Sequence, residues 1–206
     1  MTESAAPAPA AQLLKQGLFH HRQGELSRAM DHYTEVLRND PKNGEALYYV
    51  AVVACQEGQF QQGIELAERA LKVGRPEARL YNLIGKARER LGAFTEAVKG
   101  FDAAIALDPD FAEAHGNRAN LVAQAGFPEE ALKSFDRALA LDPTAAADWV
   151  NRGALLQEMG RHVDALESYE KALTLSPKEP HFLVNRGNAL VMLGRLEEAD
   201  AVYEQA

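Results

Sequence analysis

The chain has 206 residues, 47% of them hydrophobic and 25% charged, with a formal net charge of −8, an ordinary soluble composition. The acidic balance argues against nucleic acid as a partner, because phosphate binding relies on clustered lysine and arginine; the longest apolar run, residues 46–55, is too short to span a bilayer. The single cysteine, Cys55, permits no internal disulfide and fits a reducing, cytoplasmic setting.

The opening MTESAAPAPA has neither the basic start nor the apolar centre of a signal peptide, and reads as a disordered Ala/Pro tail over residues 1–10. From there the sequence repeats with a stride of 34, in frames 10–43, 44–77, 78–111, 112–145, 146–179 and an incomplete 180–206. Asp40-Pro41, Asp108-Pro109, Asp142-Pro143 and Ser176-Pro177 close four frames. The eighth place is always small (Gly17, Ala51, Gly85, Ala119, Gly153, Gly187), as is the twentieth (Ala29, Gly63, Ala97, Ala131, Ala165, Ala199). We expect two helix backbones to approach closely there, since overpacking such a site costs about 1–3 kcal/mol. The fifteenth place is glycine throughout, from Gly24 to Gly194, as a helix end at positive φ requires. The twenty-fourth carries Tyr33, Ala67, Phe101, Phe135, Tyr169 and Tyr203, knobs between neighbouring hairpins.

This stride, with its small residues, aromatic knobs and terminal proline, resembles the tetratricopeptide repeat. A pair of short helices cannot bury an apolar face alone, so hairpin must rest on hairpin. The fold expected is all-α, a right-handed α-solenoid of about six helix-turn-helix repeats over residues 11–206. The resemblance implies that the first helix of each pair lines the concave side.

In chain order, frame one is the least regular. His20 and His21 stand where apolar residues are expected, on different helix faces and without a metal-ligand companion at i+4. The first helix of frame two, ALYYVAVVAC, is apolar all round, with Tyr48, Tyr49, Val52 and Cys55 at groove-facing places. Such a helix is either covered by frame one and the tail, or meets a partner or a second copy of the chain. The next junction, residues 73–76, lacks the Asp-Pro pair and predicts an irregularity in the stacking. Frame three carries a basic run, Arg75, Arg79, Lys86, Arg88 and Arg90, read as a solvated face paired with Glu77 and Glu89.

Asparagine then forms columns. Asn82 is at the fifth place of frame three, Asn117, Asn151 and Asn185 are at the sixth of the next three frames, and Asn120 and Asn188 are at the ninth. NRGALLQEMGR, NRGNALVMLGR and HGNRANLVAQAG are similar to the N-terminal repeats of O-GlcNAc transferases, bacterial SPINDLY-type proteins above all. That resemblance implies an asparagine ladder holding the backbone of an extended peptide, with Asn82, Asn117, Asn120, Asn151, Asn185, Asn188, Tyr48 and Tyr49 as the groove residues. A carboxamide suits the task because it both donates and accepts. Arg118, Arg152 and Arg186 follow the ladder and are expected to reach acidic neighbours; Trp149 is expected to fill core.

No phosphate loop, nucleophile setting or histidine pair at metal spacing is present, so the chain reads as no enzyme, with no cofactor and no metal. Two readings follow: a scaffold for a protein or extended peptide, or the substrate-recognition arm cut from a larger glycosyltransferase. The second is favoured by the stop at the twenty-seventh place of frame six, which leaves an apolar edge uncapped. A homodimer through that edge or through helix 46–55 is a further expectation. A carboxylate-clamp adaptor is excluded, because its cationic places hold Gly116, Val150, His181 and Asn185.

Overall fold

The computed structural model describes residues 9–206. Most of the expected tail, residues 1–8, lies outside the described residues, and Ala10 already opens the first helix. Among the described residues there are twelve α-helices and no strand: α1 (Ala10–Arg22), α2 (Leu26–Asn39), α3 (Gly44–Gln56), α4 (Phe60–Val73), α5 (Ala78–Arg90), α6 (Phe94–Leu107), α7 (Ala112–Gln124), α8 (Pro128–Leu141), α9 (Ala146–Glu158), α10 (His162–Leu175), α11 (Pro180–Met192) and α12 (Leu196–Tyr203). Each first helix, and each second helix, begins 34 residues after its predecessor. The fold is an all-α helical-repeat solenoid. Its helices fall into two compact units, Met1–Leu107 with α1–α6 and Asp108–Ala206 with α7–α12.

Each hairpin turns on its glycine. The six fifteenth-place glycines have φ between 74° and 85°, a left-handed backbone that costs a side-chain-bearing residue about 1–2 kcal/mol. Between hairpins the aspartate of Asp-Pro folds back on the link: its Oδ1 accepts from the N–H of Lys42, Asp110 and Thr144 at 3.1, 3.1 and 2.9 Å. Such a side-chain turn defines the chain's path out of the second helix. Residues 74–77 have no aspartate to do this. Gly74 is extended there (φ −114°, ψ −167°), yet α4 still packs against α5. The irregularity expected of the stacking is therefore a change in the link.

Each unit has its own core. In the first, Leu13, Tyr33, Leu47, Val53 and Ile84 are among the buried residues; in the second, Phe135, Leu156, Tyr169 and Leu190 are. Burial pushes the phenols of Tyr33 and Tyr169 up to about 12.

The small eighth place has a second cause beside the close approach of backbones that was expected. A Cβ on Gly153 would meet Tyr169 Cε1 at 2.6 Å, and one on Gly17 would meet Tyr33 Cε1 at 2.4 Å. In these frames a Cβ would strike the aromatic knob of the same hairpin, and on Gly85 it would meet both the Phe101 ring at 2.6 Å and the backbone carbonyl of Ala97 at 3.1 Å. Frame two omits the ring and has alanine at both places, Ala51 and Ala67, while frame four keeps the buried ring of Phe135 and accommodates Ala119.

Candidate functional site

In the second unit, Asn117 and Asn120 share one face of α7, three residues apart. Asn151 on α9 donates from Nδ2 to Asn120 Oδ1 at 3.0 Å, so the sixth and ninth places of adjacent first helices face one another. That bond uses one of the two donors of Asn151 and part of the Asn120 oxygen. Asn117, Asn120, Asn151 and Asn185 are half-buried; Asn188 is exposed, and its Oδ1 accepts from the hydroxyl of Tyr203 at 2.8 Å.

Asn82 differs from the rest. It lies in the first unit and is only 4% exposed, a depth at which it serves packing and offers no amide to a ligand. The cause is its register. At about 100° per residue, the fifth place is turned well away from the sixth.

The arginines that follow the ladder reach acidic neighbours, and Arg152 is held on two sides. Arg152 donates from Nε to Asp136 of α8 at 2.8 Å and from Nη1 to Ser168 of α10 at 2.7 Å, and Ser168 donates in turn to the carbonyl of Asp164 at 2.9 Å. Arg118 repeats the serine bond with Ser134 at 2.9 Å and pairs with Glu130, both on α8. Arg186 reaches Glu170 at 3.4 Å, but Val202 takes the serine's place, and the buried Arg186 Nε has no hydrogen-bond partner. Sequence reasoning anticipated the acidic partners and missed Ser134 and Ser168. Their 34-residue spacing at the twenty-third place was the available signal.

Trp149 is half-buried against the core, and its indole N–H donates to the carbonyl of Pro143 at 2.9 Å. One frame earlier, His115 Nε2 makes the same bond to Pro109 at 2.9 Å. The fourth place thus ties the helix to its link as well as filling space.

In the first unit, Tyr49 stacks on the fully buried Tyr33 of α2, with ring centroids 5.1 Å apart. Tyr48 lies edge-on to Tyr49 at 5.2 Å, under the guanidinium of Arg79 at 4.3 Å, which also pairs with Glu77 at 2.6 Å. The first hairpin therefore covers one side of α3, and Ala46, Leu47, Val50, Ala51, Val53 and Ala54 are buried. Val52 and Cys55 instead line an open cleft of about 580 Å³ against α5. Burial pushes the Cys55 thiol up and also raises the carboxyl of Glu89, on the opposite wall. Of the basic run, Arg79 pairs with Glu77 as expected, and Arg88 pairs with Glu68 at 3.3 Å.

The two histidines of frame one are packing groups. His20 stacks on His32 with centroids 5.4 Å apart and pairs with Glu25 at 2.6 Å, while His21 Nε2 donates to Gln56 at 2.8 Å. Among the described residues no helix is long and apolar enough to cross a membrane. At the last hairpin, Val191, Met192 and Leu196 are exposed.

Three family models, each described as tetratricopeptide repeat, match the chain: one over residues 110–178, one over 20–87 and 156–206, and one over 78–111. The Protein CTR9 homolog of Arabidopsis thaliana is 38% identical over 93 residues, which is 44% of this chain and 8% of that protein. The chain thus spans under a tenth of this relative's length. Among solved structures, Pseudomonas aeruginosa pilF superposes with a TM-score of 0.85 at 20% identity, covering 94% of this chain and 88% of that one. YrrB, described as a TPR protein with an unusual peptide-binding site, gives a TM-score of 0.64 at 22% identity, with 86% and 97% covered. Both show likeness of fold. With one of these models spanning more than half of its residues, the chain belongs to the tetratricopeptide repeat family.

Proposed function

We propose that this chain is a protein–protein interaction scaffold that holds an extended peptide against the asparagine-bearing first helices of its second unit, in a cytoplasmic setting. The observation that carries this is the bond between Asn151 and Asn120, flanked by Asn117 and Asn185 on the same column. It presents carboxamides at a regular spacing and partly orients them before any ligand arrives. A carboxamide can accept from a peptide N–H and donate to a peptide carbonyl whatever the guest's side chains. The peptide-binding site of YrrB, on a similar fold, supports the reading.

Magnitude sets a limit. At about 0.5–1.5 kcal/mol net per hydrogen bond, three amides supply only a few kcal/mol, near millimolar affinity. The site needs further anchors. The test is binding to peptide arrays by wild type and by the triple variant Asn117→Ala/Asn151→Ala/Asn185→Ala. The variant is expected to lose signal across many sequences at once; unchanged binding with an intact helical circular-dichroism spectrum refutes the reading.

The alternative, a substrate-recognition arm of a larger O-GlcNAc-type glycosyltransferase, draws on the NRG motifs at Asn151 and Asn185. It predicts a nucleotide-sugar-binding region in the gene beyond residue 206, and an open reading frame without one removes it. The exposed Val191, Met192 and Leu196 favour a second mode, contact with another copy. Sedimentation that is unaltered by Met192→Glu speaks against it.

A further inference from the structure

Resting on the reading that the last hairpin meets another copy, we propose that its uncovered face takes α1 of that copy, so that chains join end to end as consecutive hairpins do. Within each unit a first helix rests on the second helix before it, and three kinds of contact define the register. Tyr49 at the sixth place stacks on Tyr33 at the twenty-fourth of the preceding frame. Asn151 at the sixth bonds Asn120 at the ninth. Arg152 and Arg186 at the seventh pair with Asp136 and Glu170 at the twenty-fifth. The last hairpin presents the receiving half of this arrangement without its cover. Its knob Tyr203 is 37% exposed, where Tyr33, Phe101, Phe135 and Tyr169 are at most 1%, and Val184 at the fifth place is 41% exposed, where Val150 is 8%. α1 presents the other half: Phe19 at the tenth place is 61% exposed, where Val53, Ala87, Leu121, Leu155 and Ala189 are at most 5%. Carried across two copies, the same register sets Lys15 beside the Tyr203 ring and the Asn188 amide, and Gln16 opposite Glu204. An ammonium suits the face of a ring, and a carboxamide donates to a carboxylate.

Charge complementarity selects which end meets which. α1 carries Lys15 and Arg22 and no carboxylate, whereas α12 carries Glu197, Glu198 and Asp200 and no cation, with Glu204 at its C-cap. Glu198 is committed to Arg195. Among the described residues, Lys15, Arg22, Glu197, Asp200 and Glu204 are exposed and in no ion pair. Asp200 stands at the twenty-first place, where Ile64, Leu132 and Leu166 are buried, so the uncovered face is itself acidic. Two last hairpins brought together oppose these carboxylates, and two α1 helices oppose their cations; juxtaposed like charge suppresses both pairings. Only α1 against the last hairpin joins opposite charges as well as the exposed apolar groups of both ends. The contact is heterologous, one end of a copy against the other end of its neighbour.

Sedimentation velocity on the full chain, over a range of concentrations, tests this with two variants that each disable one end. Phe19→Glu sets a carboxylate against the acidic face, and Val184→Lys sets a cation against α1. The wild type is expected to self-associate, and less so at high salt. Each variant alone is expected to stay monomeric. Their equimolar mixture is expected to form a heterodimer, because each variant keeps the end that the other has lost, and that rescue also shows both to be folded. A second pair at solvated charges, Lys15→Glu and Glu204→Lys, is expected to weaken association singly and to regain it on mixing. Self-association that persists in Phe19→Glu alone removes α1 from the joint and leaves contact through the last hairpin standing. A wild type that is monomeric at every concentration overturns both. Variants of either pair that lose association singly and fail to regain it when mixed overturn the end-to-end joint.

Discussion

The contact between Gly153 and Tyr169 can be tested by a double-mutant cycle whose sign is fixed in advance. A Cβ at Gly153 falls 2.6, 2.9 and 3.0 Å from three ring atoms of Tyr169, where carbon atoms sit comfortably at about 3.5–4.0 Å. Tyr169 is 1% exposed and its hydroxyl reaches Gln157 at 3.4 Å, so the ring has little room to retreat. Gly153→Ala therefore meets an overpacking cost of about 1–3 kcal/mol, set against about 0.5–1 kcal/mol gained by removing glycine from a helix interior. The net is a loss of up to roughly 2.5 kcal/mol. Tyr169→Ala alone should cost about 3–5 kcal/mol through its cavity. With the ring gone, Gly153→Ala has only its helical gain and should stabilise the chain. Urea unfolding followed by the fluorescence of Trp149, the only tryptophan and on the same helix, reads each corner. If Gly153→Ala costs the same with and without the tyrosine ring, the ring is not what keeps the eighth place small.

Three other outcomes are expected. Gly160 has φ 75° and nothing within 4 Å of a built Cβ, so Gly160→Ala should lose only the left-handed backbone cost of about 1–2 kcal/mol, with asparagine costing less; thermal unfolding checks the order. Ser168 is fully buried between Arg152 and the Asp164 carbonyl, so Ser168→Ala, by leaving a guanidinium donor unsatisfied, should cost about 1–3 kcal/mol in urea. Burial first, then Asp142 and Glu113, hold the Asp148 carboxyl above its usual range; the charged form is thus penalised in the fold at neutral pH, and the penalty lifts as pH falls through the raised value. Asp148→Asn should raise Tm at neutral pH, with the advantage fading on acidification, and a Tm difference independent of pH contradicts the assignment.

Column by column, the repeat could be read from the sequence because its requirements are local. Positive φ at Gly24 through Gly194 needs glycine wherever the hairpin turns, and a buried ring at Phe101 or Tyr169 recurs at one place in the frame. What sequence alone misassigned were contacts that depend on rotation between helices. Asn82 and Asn117 differ by one place in the frame, and that step carries Asn82 into the interior. The Asn120–Asn151 bond spans 31 residues and exists because two first helices stand with those faces opposed. The eighth-place glycines were correctly seen as close contacts, but the ring that makes the contact lies sixteen residues on, in the same frame. The cleft beside Cys55 needs Leu83 and Lys86 from another hairpin, and no stretch of α3 by itself discloses it.

Frames two and three differ in chemistry from the second unit at one place, and this bears on where an amide-based site could be built. At the seventh place frames two and three have Val50 and Ile84, 6% and 3% exposed, frame one has the exposed Gln16, and the second unit has Arg118, Arg152 and Arg186. An apolar contact is nondirectional and holds a helix by volume alone. A guanidinium is a planar fork with fixed donor directions. Arg152 spends those directions on Asp136 of α8 and Ser168 of α10, so one side chain fixes α9 against helices on both sides. Its neighbour in sequence is Asn151, whose carboxamide bonds Asn120. A helix pinned at position 152 has little freedom to turn the amide at 151 away, which would lower the ordering cost of presenting it to the proposed peptide. Polar filling at the seventh place costs desolvation that valine would not, and what it supplies in return is direction, at the one position adjoining the amide column.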